Sequence, residues 1–247
     1  MNIFKLELSN NSVFKDAFDS VSRIIDEIMI EINSEEFKVN ALDRSHISFV
    51  HLEFKKEFFD EFECDIEDKI CVDTSEFMQI LKRLKKNDVL RLENDDNNII
   101  ITLIGDSTRR FKIRLIDMEY DTPTPPSINP PCSVNIESAL LKDCLGDMEL
   151  FGDVITYKIT DDYFIAESNG EFGDSSFKYL HGEDINESVQ SKFSIEKLKD
   201  MLTASKFSPI CEVCVGNNMP LIIRFELETG DGKLQFLLAP RLEADDE

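Results

Sequence analysis

Two cysteines at metal-ligand spacing, Cys211 and Cys214, are the first candidates for chemistry in this 247-residue chain. Cys-x-x-Cys is the spacing found in zinc sites and in thiol–disulfide centres. Here the pair lies in the stretch ICEVCV, which is typical of a strand, and strand residues three apart point to opposite faces. The sequence has no second pair and no neighbouring histidine to complete a tetrahedral set. We therefore predict two buried thiols, and neither a metal nor a cofactor.

Other residue types that could support catalysis do not form a recognisable arrangement. His46 and His51 are five apart in or beside a predicted strand, so their side chains should lie on opposite faces. The 50 carboxylates fall mostly in loops and on helix faces. The Gly-Asp-Gly-Lys stretch at 230–233 lacks the spacing of a phosphate-binding loop, and the chain has no nucleophile elbow. We predict that the protein is not an enzyme.

The basic residues are grouped, although the chain is strongly acidic. The net charge of −23 argues by itself against nucleic acid and membrane surfaces as partners. Nine of the 27 Lys and Arg nevertheless fall within 82–91 and 109–114. The first group can be a solvated helix end that the helix dipole favours, or a face that contacts phosphates without reading bases. Other predicted helices also carry cations, which favours the second interpretation.

The elements that would position these residues occur in two similar halves. Each half reads as strand, helix, three strands, helix and three strands, with helices predicted over 12–28, 75–86, 137–149 and 195–206. Residues 60–68 look like an acidic interruption. Five prolines within 123–131 predict a stiff, extended connector between the halves. The fold class is α+β, with domains at 1–117 and 133–247 joined by a connector at 118–132.

The sequence also limits where the chain should act. No apolar run approaches the roughly 20 residues that a membrane-spanning helix needs. The N-terminal MNIFKLELSN lacks the features of a signal peptide. We therefore expect no membrane partner and a location in the reducing interior of the cell. The final EADDE predicts a solvated acidic tail.

Four segments carry a resemblance to a known family. LDRSHISFVHLEF at 42–54, ESNGEFGDSSFKY at 167–179, MPLIIRFEL at 219–227 and LAPRLEADDE at 238–247 resemble the proliferating cell nuclear antigen family. These are the DNA sliding clamps of archaea and eukaryotes, and the resemblance runs along the whole chain. It implies two similar clamp domains assembled as a closed trimeric ring, with helices lining a bore and antiparallel sheets outside. It also implies a processivity factor without catalytic activity.

The resemblance implies three sets of site residues. The DNA-binding set is Lys15, Lys82, Arg83, Lys86, Lys142, Lys199 and Lys206. The partner-peptide set is His46, Ile47, Phe49, Pro125, Pro126, Ile128, Pro220, Leu237, Ala239, Pro240 and Arg241. The trimer-interface set is Arg109, Arg110, Lys112, Arg114, Ser176, Phe177, Lys178, Tyr179 and Leu180.

The implied partners follow from the same resemblance. They are duplex DNA without sequence preference, further copies of this chain in a homotrimer, and DNA polymerase, clamp loader, flap endonuclease and DNA ligase through a short docking peptide. Several positions where relatives often carry bore cations hold other residues here, among them Asp16, Gln79 and Thr203. A subunit of a heteromeric clamp, or an interaction hub with a weak grip on DNA, is therefore the alternative. The expected location is the cytoplasm if the chain is archaeal, which we prefer, and the nucleus if it is eukaryotic.

Overall fold

A computed structural model describes residues 4–64, 66–117 and 122–242 of the chain, which divide into two compact units. The acidic tail predicted at 243–247 and part of the predicted connector lie outside the described residues. Unit 1 consists of Met1–Arg44, Val50–Pro125 and Leu227–Leu234. Unit 2 consists of Ser45–Phe49, Pro126–Glu226 and Gln235–Glu247. The sequence did not predict that each unit takes short segments from the other half of the chain.

Unit 1 contains two antiparallel groups of strands and two helices. Its elements are β1 (Phe4–Leu8), α1 (Asn11–Ile24), β2 (Glu27–Ile32), β3 (Glu36–Leu42), β4 (Ser48–Lys55), β5 (Glu61–Cys64), β6 (Asp68–Asp73), α2 (Thr74–Leu81), β7 (Val89–Asp95), β8 (Asn98–Ile104) and β9 (Thr108–Arg114). Because Ser45–Phe49 belongs to unit 2, the chain passes back into unit 1 within β4, between Phe49 and Val50. The strand order is β5-β1-β7-β8-β9 in one group and β4-β3-β2-β6 in the other.

Unit 2 repeats the same kind of arrangement. Its elements are β10 (Cys132–Glu137), α3 (Ser138–Met148), β11 (Val154–Ile159), β12 (Tyr163–Gly170), β13 (Gly173–Leu180), β14 (Val189–Ser194), α4 (Ile195–Met201), β15 (Ile210–Val215), β16 (Leu221–Glu226) and β17 (Gly232–Leu238). A 3-10 turn at Leu202–Lys206 follows α4 directly. The strand orders are β13-β12-β11-β14 and β10-β15-β16-β17.

Aromatic side chains fill the core of unit 1. Phe14 and Phe18 are four residues apart on α1, so they share one helix face, and both are buried. Their ring centroids lie 4.7 Å apart, and the Phe14 centroid lies 5.5 Å from that of Phe54 on β4. Phe77 on α2 meets Phe18 edge to face at 5.0 Å. The two helices therefore meet each other, and α1 meets the strands, through this one cluster.

Two helices end earlier than the sequence predicts. The helix predicted over 12–28 ends at Ile24, because residues 27–32 alternate buried and exposed side chains as a strand does. The helix predicted over 75–86 ends at Leu81. It begins after Asp73, whose carboxylate accepts the Glu76 N–H at 2.9 Å as a capping group.

Two short strands were not predicted. The acidic stretch at 60–68 includes β5, which pairs with β1 and is stabilised there by an ion pair of 2.7 Å between Lys5 Nζ and Glu61 Oε2. The sequence also did not predict β14, which pairs with β11. Neither strand is rich in branched residues, so their pairing partners rather than their own propensities make them strands.

Candidate DNA, partner and subunit interfaces

In unit 1 the predicted DNA-binding cations lie on and just beyond the helices. Lys15 is partly exposed on α1. Lys82, Arg83 and Lys86 are exposed and follow the last residue of α2. The Lys82 N–H still donates to the Met78 carbonyl at 2.9 Å, so the chain turns tightly rather than leaving the helix abruptly. The three cations therefore belong to a structured loop and not to a helix face.

In unit 2 the predicted cations differ in their environment. Lys142 is exposed on α3, and Lys206 is exposed at the end of the 3-10 turn. Lys199 on α4 is committed to Glu149, since its Nζ lies 2.6 Å from Oε1 and 2.7 Å from Oε2 of that carboxylate. The positive charge of Lys199 is therefore compensated by a neighbouring carboxylate, a pairing that the sequence did not predict.

The predicted partner-peptide residues of unit 2 surround a small apolar cluster. Phe49, Cys214, Ile222 and Leu237 are buried together, and the partly buried Ile128 packs against them. Cys214 and Ile222 were not predicted as members. Each lies in a run of three consecutive apolar residues, 213–215 and 221–223, which is typical of a strand buried on both faces but cannot show that the two share a cluster with Leu237.

The more exposed members of the set lie within a few residues of this cluster along the chain. Ile47 is 39% exposed, and its carbonyl accepts the Ala239 N–H at 2.9 Å. The preceding residue, His46, is exposed and has a positive φ of 60°, which turns the chain sharply at this point. Pro220 is partly buried. An exposed apolar side chain beside a buried apolar floor is an arrangement that can bind an anchor residue.

The remaining members of the set lie around the C-terminal strand and in the connector. Pro240 is partly buried, and Arg241 is exposed and forms an ion pair of 3.2 Å with Asp153 Oδ2. Pro126 is exposed in unit 2, while Pro125 is exposed and is the last residue of its segment in unit 1.

The two predicted subunit-interface strands are both edge strands. Among the described strands, β9 pairs only with β8, and β13 pairs only with β12. Two of the four cations on β9 are already paired within the chain, Arg109 with Asp88 and Lys112 with Asp95. The other two, Arg110 and Arg114, are exposed and make no ion pair with the residues that the structure describes.

On β13 the predicted residues alternate in exposure. Ser176, Lys178 and Leu180 are exposed, and Phe177 and Tyr179 are partly buried. Lys178 Nζ lies 3.6 Å from the centre of the Tyr163 ring, a distance at which a cation and an aromatic face attract. An unpaired edge that carries such side chains is suited to pairing with another strand.

The cysteine pair is buried and split between two environments. Cys214 belongs to the apolar cluster, whereas Cys211 Sγ approaches the Ile136 carbonyl at 3.7 Å. Burial raises the pKa of Cys211 to about 11 and that of Cys214 to about 12, so both remain thiols near neutral pH. No group of three or more His, Cys, Asp or Glu that could hold a metal occurs in the described residues.

The histidines are also separate. His51 is partly buried and its Nδ1 lies 2.7 Å from Asn40 Oδ1, and burial lowers the pKa of its ring.

No helix in the described part of the chain has the length and apolar character needed to cross a bilayer.

Two α+β units of similar element order, each with a free edge strand, define a two-domain clamp fold. A family model described as the N-terminal domain of proliferating cell nuclear antigen matches residues 3–123. The crystal structure of that antigen from Entamoeba histolytica has a TM-score of 0.91 to this chain at 22% identity, covering 98% of this chain and 100% of its own. The fold class predicted from the sequence is therefore confirmed.

Archaeal relatives identify the family. The DNA polymerase sliding clamp of Methanobrevibacter smithii is 52% identical over 99% of this chain and 100% of its own length. The clamp of Methanothermobacter thermautotrophicus is 46% identical with the same coverage. The chain belongs to the proliferating cell nuclear antigen family of DNA polymerase sliding clamps, and its function is that of a sliding clamp, or processivity factor. The family and the function predicted from the sequence are both confirmed.

Proposed function

We propose that three copies of this chain close edge to edge into a ring, with β9 of one copy beside β13 of the next. The observation that carries this proposal is that both strands are edges with exposed side chains. Pairing the edges around a ring leaves neither of them open to unwanted association. Arg110 and Arg114 on β9 are then available to the acidic segment at 183–187 of the neighbouring copy.

An exposed apolar patch beside β13 supports the same assembly. Leu150 is 75% exposed and Phe172 is 92% exposed. They belong to one surface, because Phe151 lies against the β12–β13 hairpin: a Cβ added at Gly170 would come within 1.5 Å of the Phe151 carbonyl oxygen. Large exposed apolar side chains gathered in this way favour contact with another protein surface, here a second copy.

The ring would hold duplex DNA through the seven cations of the DNA-binding set. Such contacts are electrostatic and do not read sequence, which allows a clamp to move along the duplex. The net charge of −23 would belong to surfaces that face away from DNA and repel it. In this function the ring does not itself catalyse a reaction, and an archaeal cytoplasm is the location that the archaeal relatives favour.

The apolar cluster around Leu237 would dock the partners. A short peptide with apolar and aromatic anchors could place them on the floor formed by Phe49, Ile222 and Leu237, beside Ile47. DNA polymerase is the first partner we assign to this surface, and clamp loader, flap endonuclease and DNA ligase are the others. The stiff proline connector supports this role, because a preorganised edge loses less entropy when a peptide binds.

One observation favours the alternative of a weakly gripping or heteromeric clamp. The pairing of Lys199 with Glu149 removes part of the positive charge that unit 2 could offer to DNA. A chain that needs a different partner subunit would not form a trimer alone, and this separates the two functions.

The oligomeric state tests the proposal directly. Light scattering of the purified chain should give about three times the 28.4 kDa mass of one copy. Because the subunit contact would use ion pairs, size exclusion from low to high salt should show the trimer dissociating. A monomer at every concentration would refute the homotrimer, and a trimer population that does not change with salt would refute the ion pairs.

A further inference from the structure

The loop between α2 and β7, residues 82–88, is held by two buried residues in a segment that is otherwise exposed. We call it the basic loop, because Lys82, Arg83, Lys85 and Lys86 are all exposed on it. Its buried members are Leu84, at 8% exposure, and Asp88, at 4%. Leu84 is an apolar anchor, but Asp88 is a carboxylate and requires polar partners when it is buried.

Asp88 obtains those partners from three parts of unit 1. Its Oδ2 accepts the Lys85 N–H at 3.1 Å and a hydrogen bond from the Arg109 guanidinium. Its own N–H donates to the Lys85 carbonyl at 3.1 Å. Its carbonyl accepts from Asn11 Nδ2, at the start of α1, at 2.6 Å. The carboxylate therefore closes the last turn of the basic loop and attaches it to β9, while the backbone carbonyl of Asp88 attaches it to α1.

Arg109 contacts the basic loop at a second point. While one terminal nitrogen of its guanidinium binds Asp88, Nη1 donates to the Arg83 carbonyl at 3.1 Å. The planar guanidinium is suited to two contacts of fixed geometry, which a lysine cannot reproduce. Arg109 lies on β9, so the position of the loop depends on the edge strand of unit 1.

Gly105 completes the enclosure of Asp88. A Cβ at this position would lie 2.1 Å from Asp88 Oδ1 and 3.1 Å from its Cγ, so a larger residue in the turn between β8 and β9 would displace the carboxylate from its present position. The Asp88 side chain is only 5% exposed and that of Arg109 is 29% exposed. A charge pair shielded to this extent is costly to break when one partner is removed.

We propose that Asp88 and Arg109 are positioning residues, which hold the basic loop so that its cations contact DNA phosphates together. Arg109 then serves within its own chain, and the contact with the next copy depends on Arg110 and Arg114. Since Arg109 lies on the strand that pairs with the next copy, ring assembly also steadies the basic loop. This inference rests on the proposed function, because it takes the loop to face DNA.

The test compares Asp88→Asn and Arg109→Lys with wild type, and uses Asp106→Asn as the control. Asp106 is an exposed acid in the turn before β9, so its substitution changes the net charge as Asp88→Asn does. Affinity for a fluorescent duplex is measured by anisotropy on the assembled protein from low to high salt. Each phosphate contact changes the slope of log affinity against log salt by about 0.9. Hydrogen exchange follows the amides of residues 82–88, and light scattering follows the trimer.

Asp88→Asn should weaken DNA binding and reduce the slope of log affinity against log salt by about the contribution of one to two phosphate contacts. The loss of a negative charge by itself should strengthen DNA binding. Asp106→Asn, which loses the same charge but does not hold the loop, should therefore bind DNA more tightly. Arg109→Lys should also reduce the slope while the trimer persists. In both variants the loop amides should exchange faster, with global protection retained. These results together support the inference.

Three results would overturn it. The first is a wild-type salt slope in Asp88→Asn, and the second is wild-type exchange of the loop amides in both variants. The third is a trimer that dissociates in Arg109→Lys, since Arg109 would then be a subunit contact. The triple neutralisation Lys82→Ala, Arg83→Ala, Lys86→Ala separates this failure from failure of the proposed function. If the triple variant keeps the wild-type slope, the loop does not contact DNA at all, whereas wild-type exchange of the loop amides in both Asp88→Asn and Arg109→Lys refutes only the positioning role.

Discussion

Replacing Glu149 with glutamine should strengthen the hold of this clamp on DNA. In the wild-type chain the two carboxylate oxygens of Glu149 lie 2.6 and 2.7 Å from Lys199 Nζ, so this cation is held away from other anions. Glutamine keeps the size of the side chain but removes its charge. Lys199 can then turn to a phosphate, and the loss of a negative charge near DNA acts in the same direction.

The size of the effect follows from the exposure of the pair. Both side chains are 48% exposed, so the ion pair contributes only about 0–1 kcal/mol to stability and its loss should leave the fold intact. One recovered phosphate contact should steepen the salt slope by about 0.9. Over a fourfold reduction in salt, that slope corresponds to about a 3.5-fold additional gain in affinity for each contact.

A double-mutant cycle identifies the cause. Duplex affinity is measured across a salt series for wild type, Glu149→Gln, Lys199→Ala and the double variant. If Glu149 acts mainly by occupying Lys199, its substitution should steepen the slope clearly in the wild-type background and much less in the Lys199→Ala background, where only the loss of the negative charge acts. Equal steepening in both backgrounds, or none in wild type, would refute the reasoning.

Three further predictions concern the docking cluster, the core and the thiols. Ile47→Asp should abolish the binding of a docking peptide in calorimetry, because it places a charge beside an apolar floor; Ile66→Asp, at a 70% exposed isoleucine, is the control. Normal peptide affinity in Ile47→Asp would show that the docking surface lies elsewhere. Phe14→Ala should lower the free energy of unfolding by about 3–5 kcal/mol in denaturant titrations, since Phe14 is fully buried. A loss below about 1 kcal/mol would contradict the packing described for this ring. Burial raises the pKa of Cys144 to about 12 and that of Cys211 to about 11, so these two thiols should resist alkylation in the folded chain at neutral pH. Labelling of these thiols at the rate seen in denaturant would contradict their burial.

The periodicity of side chains was enough to predict most elements of the fold. Phe14 and Phe18 recur at helical spacing, and the strands around Ile30 and Ile101 contain the β-branched residues that sheets favour. Local patterns of this kind depend on neighbours in sequence, so they can be read without the fold. The paired halves followed from the same patterns, and the family followed from short segments that include His46 and Ile47.

Element ends and short strands could not be predicted in the same way. The stretch after Leu81 is compatible with a longer helix by composition, and it turns instead where Asp88 and Arg109 hold it. Likewise β5 is a strand because β1 offers it hydrogen bonds and Lys5 offers Glu61 a partner. Propensity is a weak preference that tertiary contacts override.

The sequence by itself determined that this protein has two similar α+β halves, with a proline-rich stretch between them, and that Cys211 and Cys214 are buried. It also predicts that cations are reserved for particular surfaces. Those conclusions depend on residue types and their spacing. Only the tertiary structure decided which cations are free, because Lys199 meets a carboxylate 50 residues away. The same is true of Arg109, whose partner Asp88 lies 21 residues away. An ion pair depends on distance in space, and the sequence does not contain that distance.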